Sequence, residues 1–169
     1  GRAADVEEQA KGPVLNPVEM AAADAAEVEA RLRGIPAYGK LFAEAFPGEA
    51  QPVTVDNMAL AIGAFERRLM TPSPFDRYLA GDDQALTGEQ LAGLKTFVDV
   101  GCASCHNGVA LGGTTFQKMG LKKAYETKDA GRYEVTKRDE DRYKFKVPSL
   151  RNIDRTGPYF HDGTVAGLG

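Results

Sequence analysis

Apolar residues fall at helical spacing in four stretches of the chain, each entered through a capping residue and left through glycine or proline. The first runs from Asn16 to Gly34. Asn16 can cap it, Pro17 suits the first helical position, and Glu19 complements the positive end of the helix dipole. Val18, Ala21, Ala25, Val28 and Leu32 then form one core-facing side, a pattern that also allows a break near Asp24. The second helix is predicted over Pro36 to Phe46, with Tyr38, Leu41, Phe42 and Ala45 on one side and Pro47-Gly48 as its stop. The third follows Thr54 and carries a core stripe of Met58, Ile62, Phe65 and Leu69. Pro72 and Pro74 close it and push the chain into an extended connection. The fourth opens on Thr87-Gly88-Glu89-Gln90, a capping box, and runs to Gly101. Beyond Gly108 the helical period vanishes, and Thr114 to Ile153 reads as loop with short strands. The expected class is mainly α, with long irregular loops.

Composition narrows the function. The chain has 169 residues, 43% hydrophobic and 27% charged, which fits one globular domain or a large piece of a bigger protein. With 21 Lys plus Arg against 24 Asp plus Glu, the net charge of -3 argues against a nucleic-acid binder driven by phosphate neutralisation. No run reaches the roughly 20 apolar residues of a membrane-spanning helix. Gly1 has no basic and apolar export segment before it, so any such signal is expected to have been removed. The charge is segregated: Lys118 to Arg155 holds 12 basic and 7 acidic residues, leaving -8 on the remainder. A solvated loop with scattered charges and a docking surface for an acidic partner account for this equally well. No internal repeat or low-complexity tract occurs.

The chemistry concentrates in Cys102-Ala103-Ser104-Cys105-His106, the C-x-x-C-H pattern of covalent c-type haem attachment. Two thiols three positions apart on one turn can each add to a vinyl group of the same haem, while the adjacent histidine reaches the iron as proximal ligand. A thioredoxin-like redox pair would want a preceding strand, whereas a helix is predicted there. A structural zinc site would need four ligands from Cys102, Cys105, His106 and His161, two of them adjacent in the chain. The motif alone also leaves chance occurrence open.

The sequence around the motif resembles the bacterial di-haem cytochrome c peroxidases from Gly1 to Gly169. The likeness rests on Gly1-Arg2-Ala3 with Glu8-Gln9-Ala10-Lys11-Gly12-Pro13 and on Asn16-Pro17-Val18-Glu19-Met20. It continues with Val147-Pro148-Ser149-Leu150-Arg151-Asn152-Ile153 and with Thr156-Gly157-Pro158-Tyr159-Phe160-His161-Asp162-Gly163. The resemblance implies two helical haem domains in the intact protein. Hydrogen peroxide reacts at the first haem, and electrons enter at the second from a small redox protein, a cytochrome c or a cupredoxin. This chain carries only the second motif and has no tryptophan, where the family places one between the haems, so it reads as an excerpt. Residues 1–22 would belong to the peroxidatic haem domain and 23–169 to the electron-transfer domain.

Carried onto this sequence, the resemblance makes Cys102 and Cys105 the thioether anchors and His106 the proximal iron ligand. Gln9 and Glu19 become the polar pair of the peroxidatic site, where Glu19 would move a proton between the peroxide oxygens. Thr156 and Pro158 would bind calcium through their backbone carbonyls, together with an asparagine upstream of this chain. Arg151 is a candidate partner for a haem propionate. Without the resemblance, Glu19 is a first-turn helix glutamate, Gln9 a surface glutamine, Arg151 a surface arginine and Thr156-Gly157-Pro158 a turn. The family's sixth ligand, a methionine, would lie beyond Gly169; Met119 and His161 are conceivable substitutes. A homodimer and a periplasmic location are also implied. The competing functions are a mono-haem electron carrier without substrate chemistry and the sister di-haem enzyme that matures a tryptophan-derived quinone.

Overall fold

The computed structural model describes residues 1–120 and 123–168, so Lys122 of the basic segment lies outside the described residues. The chain divides into two compact units, Gly1–Leu69 and Met70–Gly169.

The first unit is helical. Helix α1 (Val6–Leu15) starts at Asp5, whose carboxylate accepts from the Glu8 amide at 2.8 Å, with Glu7 and Glu8 in its first turn. The apolar pattern did not reveal it, because Lys11, Gly12 and Pro13 interrupt the period. The predicted helix from Pro17 to Gly34 is shorter than expected. Asn16 instead closes α1 through its backbone, Pro17–Met20 form a turn, and Ala21 takes a positive φ of 54° that helix propagation cannot accommodate. Helix α2 (Ala25–Arg33) begins at the anticipated break, capped by Asp24 accepting from the Glu27 amide at 2.8 Å. Helix α3 spans Pro36–Ala45 and α4 Val55–Glu66, the latter capped by Thr54.

The core of this unit gathers Ala10, Val28, Phe42, Val53, Val55 and Ala59, all buried. Burying each of the larger ones contributes about 1.5–3 kcal/mol. On α4 the buried side is Val55, Ala59 and Gly63, and the predicted stripe fails at its end: Phe65 is 64% and Leu69 60% exposed. Val18 (87%) and Leu41 (54%) are likewise outside the core. A β-carbon at Gly63 would lie 2.6 Å from Glu7 Oε1, so a larger residue would have to displace the Glu7 carboxylate, which accepts from both Arg67 terminal nitrogens. That pairing with Arg67 holds the Glu7 carboxyl below its ordinary value.

The second unit is built differently. The expected extended connection contains a short helix, α5 (Pro74–Leu79). Pro74 occupies its first turn, and Ser73 and Asp76 form a reciprocal capping box. Helix α6 (Gly88–Asp99) has the predicted Thr87–Gln90 box and stops before Gly101, whose φ of 89° admits the turn into the haem motif. Strands β1 (Phe116–Lys118) and β2 (Lys144–Lys146) pair antiparallel, and between them lies the one-turn α7 (Tyr133–Thr136). The mainly α class with short strands is what the structure has. Val147 is this unit's one buried apolar side chain among the described residues.

Candidate functional site

The Cys102–Ser104 segment forms a single 3-10 turn directly after α6, and the His106 amide donates to the Cys102 carbonyl at 3.0 Å. This winding gathers Cys102, Cys105 and His106 within little more than one turn of chain. Neither cysteine is in a disulfide, and both are partly exposed.

His106 stands on the wall of a cleft of about 440 Å3, together with Phe75, Leu79, Leu94, Phe97, Val98, Ala103 and Val109. The apolar residues of α5 and α6 therefore face this cleft; Val98 is 54% and Leu79 67% exposed. The Phe97 ring lies 6.3 Å from the imidazole, centroid to centroid. On its other side, His106 Nδ1 is 3.3 Å from the Leu111 carbonyl. A carbonyl can only accept, so Nδ1 carries the proton and Nε2 keeps the lone pair that a metal requires.

Backbone packing holds that carbonyl in place. The Gly112 amide donates to Asn107 O at 3.0 Å, and the Leu150 amide donates to Leu111 O at 3.2 Å. Gly112 has φ 137°, and a β-carbon there would sit 2.1 Å from the Pro148 carbonyl oxygen and 3.3 Å from His106 Nδ1. No other residue fits.

Arg151 also lines the cleft. Its guanidinium grips Asp76 with Nη1 at 3.0 Å and Nη2 at 2.7 Å, while Nε donates to the Val109 carbonyl at 2.6 Å. The bonds from Arg151 and then Ser73 hold the Asp76 carboxyl well below the usual carboxylate range. Three separate segments are thus tied together at one edge of the cleft. The Asp76 half of this arrangement was not read from the sequence, although Ser73 three residues before an aspartate was a visible capping signal.

The other predicted residues lie elsewhere. Gln9 is exposed on α1, and Glu19 sits in the turn after it, its Oε1 accepting from the Asn16 amide group at 2.7 Å. No hydrogen bond joins Gln9 to Glu19 among the described residues. Thr156 and Pro158 flank a cis Gly157-Pro158 bond, and their carbonyls accept no hydrogen bond among the described residues. Met119 sits at the end of β1, its amide donating to Tyr143 O at 2.9 Å. His161 stacks on Phe145 at 3.9 Å and lies 3.6 Å from Asp129. Neither Met119 nor His161 lines the cleft.

A c-type haem suits these residues. The cleft is walled by aromatic and aliphatic side chains, and two free thiols precede an imidazole whose Nδ1 contact with a carbonyl suits metal ligation through Nε2. By contrast, a larger and more open depression of about 770 Å3 in the first unit is lined by Arg33 and Glu49. Both are already spent, on Glu29 and on Asn57 respectively.

The family described as di-haem cytochrome c peroxidase matches residues 1–84. The cytochrome c551 peroxidase of Pseudomonas aeruginosa is 50% identical, the match covering 98% of this chain and 49% of that protein. Its namesake in Nitrosomonas europaea is 48% identical over 99% of this chain and 50% of its own length. The chain spans about half the length of these curated relatives. Among solved structures, a MauG-like protein associated with microbial copper homeostasis superposes with a TM-score of 0.82 at 34% identity, covering 97% of this chain and 53% of that one. The chain belongs to the di-haem cytochrome c peroxidase family.

Proposed function

We propose that this chain is the electron-accepting part of a periplasmic enzyme that reduces hydrogen peroxide to water with electrons from a cytochrome c or a small copper protein. The observation that carries this reading is the fixed His106 tautomer on the wall of an apolar cleft, one residue after the second of two free cysteines. In this reading Cys102 and Cys105 bind one haem covalently and His106 Nε2 ligates its iron. When bound, that haem supplies a one-electron centre whose potential its ligands and burial set.

The protein's own contributions follow from the geometry. The Leu111 carbonyl orients the imidazole. Phe97, Leu94 and Val98 exclude water from one side. The Arg151–Asp76 pair joins α5 to the segment beyond the haem motif, and a further guanidinium N–H is left for a propionate.

Reduction of peroxide to two waters takes two electrons and two protons, and Glu19 is suited to the proton traffic. Asn16 holds its Oε1, leaving Oε2 to take the proton from the nearer peroxide oxygen and deliver it to the departing one. Gln9 would complete that polar site. Residues 1–22 would then belong to the peroxidatic haem domain, yet α1 packs on α4, which anchors that segment to the rest of the first unit. Thr156 and Pro158 offer two uncommitted carbonyls of the hard-oxygen kind calcium prefers. A homodimer is expected, as the family likeness suggests. The higher identity to the peroxidases than to the MauG-like structure favours peroxide reduction over quinone maturation.

A pyridine haemochrome spectrum with intact mass on the native protein tests this. Two covalent haems on a longer chain are expected; one haem on 169 residues would leave Glu19 and Gln9 without a site and favour a simple electron carrier.

A further inference from the structure

The pairing of β1 with β2 sorts charge onto one face. Phe116 lies opposite Lys146 and Lys118 opposite Lys144, while Gln117 lies opposite Phe145. Directly paired residues share a face, so Lys118, Lys144, Lys146 and Phe116 point one way and Gln117 and Phe145 the other. The Arg132 guanidinium sits 4.1 Å over the Phe116 ring and adds a fourth cation to the lysine face. The opposite face is uncharged at these positions, and Phe145 there stacks on His161.

A single carboxylate answers two of the four cations. Asp141 accepts from Lys144 at 3.1 Å and from Arg132 at 3.3 Å, and its side chain is only 8% exposed. Burial opposes its ionisation, but Lys144 and Thr136 outweigh that and keep it below its ordinary value. It therefore neutralises from beneath while the outward surface stays cationic. Lys118 and Lys146 are exposed and have no ion-pair partner among the described residues. Like charges directly opposite across an antiparallel pair, as Lys118 and Lys144 are, destabilise a sheet. Stability alone would not select this arrangement.

The face is also joined to the haem-binding loop. Val147, next to Lys146, accepts from the Gly113 amide at 2.7 Å and donates to Thr115 O at 2.9 Å. Gly113 adjoins Gly112, which packs against His106. The lysine ribbon thus continues into the loop whose carbonyl orients the candidate ligand. That same loop carries Val109, 73% exposed, on the cleft wall. A cationic face linked through one loop to an exposed apolar residue suits a transient interface.

We infer that the Lys118/Lys144/Lys146 face of the β1–β2 ribbon docks the acidic surface of the electron-donor protein. This rests on the haem-domain reading above and adds the donor's charge and landing site. Attraction between opposite charges would steer encounter, raising the association rate by ten-fold or more at low salt.

The test uses the native holoprotein and its K118E/K146E variant, with haem reduction followed by stopped flow from about 0.01 M to about 1 M salt, where the screening length falls from about 30 to about 3 Å. The probes are one cytochrome c of acidic isoelectric point, one of basic isoelectric point, and an uncharged hydroquinone. The acidic donor should react faster with the unaltered protein and slow as salt rises. The variant should lose about ten-fold with that donor at low salt and show little salt dependence. Hydroquinone should reduce both alike. A variant within two-fold of the parent with the acidic donor, or a parent that prefers the basic donor, overturns the docking face and leaves the haem assignment standing. If the substitutions leave both donors unaffected and abolish binding to anionic lipid vesicles instead, the face serves a membrane and the inference falls. A parent with no covalent haem to reduce removes the haem assignment and the inference together.

Discussion

Among the described residues, Ala10, Val28, Phe42, Val53, Val55 and Ala59 are buried before Leu69, whereas the larger unit that follows buries Val147 alone. The two units also differ in charge, with 7 basic and 11 acidic residues in the first and 14 and 13 in the second. The first is held by ordinary hydrophobic burial between helices. The second relies on directed bonds: the Arg151–Asp76 grip, the Asp141 cluster and backbone links between the 109–113 and 147–151 segments. Phe75, Leu79, Leu94, Phe97, Val98 and Val109 line the cleft beside His106. An apolar-walled cleft in a unit with so little buried core is what a prosthetic group would fill.

The strongest way to break this comparison is to prevent haem attachment. In the Cys102→Ala/Cys105→Ala double variant we expect no haem on a denaturing gel and fast amide exchange across residues 70–168, with protection retained in α4. Equal protection in both units would show that the second does not depend on the group.

Next come two packing changes of similar size in opposite units. Phe42→Ala should cost about 3–5 kcal/mol in the first unit. Its haem spectrum should remain unchanged. Gly112→Ala should cost more than about 3 kcal/mol, because the new methyl overlaps the Pro148 carbonyl in a backbone region alanine disfavours. Here the haem spectrum should change as well, and a normal spectrum would argue against a close tie between Gly112 and the ligand.

Acid should separate the units more gently. Asp76 has a depressed folded value, so the Arg151 grip stabilises fully above its unfolded value near 3.8 and is lost as pH falls below that toward the folded value. Asp162, held down to about 2 first by the Tyr125 hydroxyl, acts the same way between 3.8 and about 2. Circular dichroism in the haem band should therefore fall over this window before helical signal from the first unit does. In an Asp76→Asn variant the loss below pH 3.8 should be shallower, starting from lower stability at neutral pH. The smallest effect is expected from Thr87→Ala, about 1 kcal/mol from the lost α6 cap, read as a small shift in thermal midpoint.

Legibility in the sequence followed the same divide. Helix α6 was readable because a capping box and a glycine stop bracket it, and the haem motif because five adjacent residues carry it. Helix α1 was hidden because Gly12 and Pro13 blur its period. The Phe65 and Leu69 stripe misled because periodicity marks an apolar side without saying what covers it, and α4 buries Val55, Asn57, Ala59 and Gly63 instead. Asp76 and Leu111 escaped notice for another reason. One is 75 residues from its partner in the chain, and the other contributes only a main-chain oxygen, which leaves no trace in side-chain identity.

The Leu111 oxygen has a consequence for how such a protein can vary over generations. Every residue type offers the same carbonyl at position 111, so no single codon change there can delete the acceptor that orients His106. Heritable adjustment of how that imidazole is held is displaced onto neighbours that shift the peptide plane, Gly112 and Pro148 foremost. A library seeking altered redox potential would do better to randomise the positions flanking that oxygen than the residue that bears it.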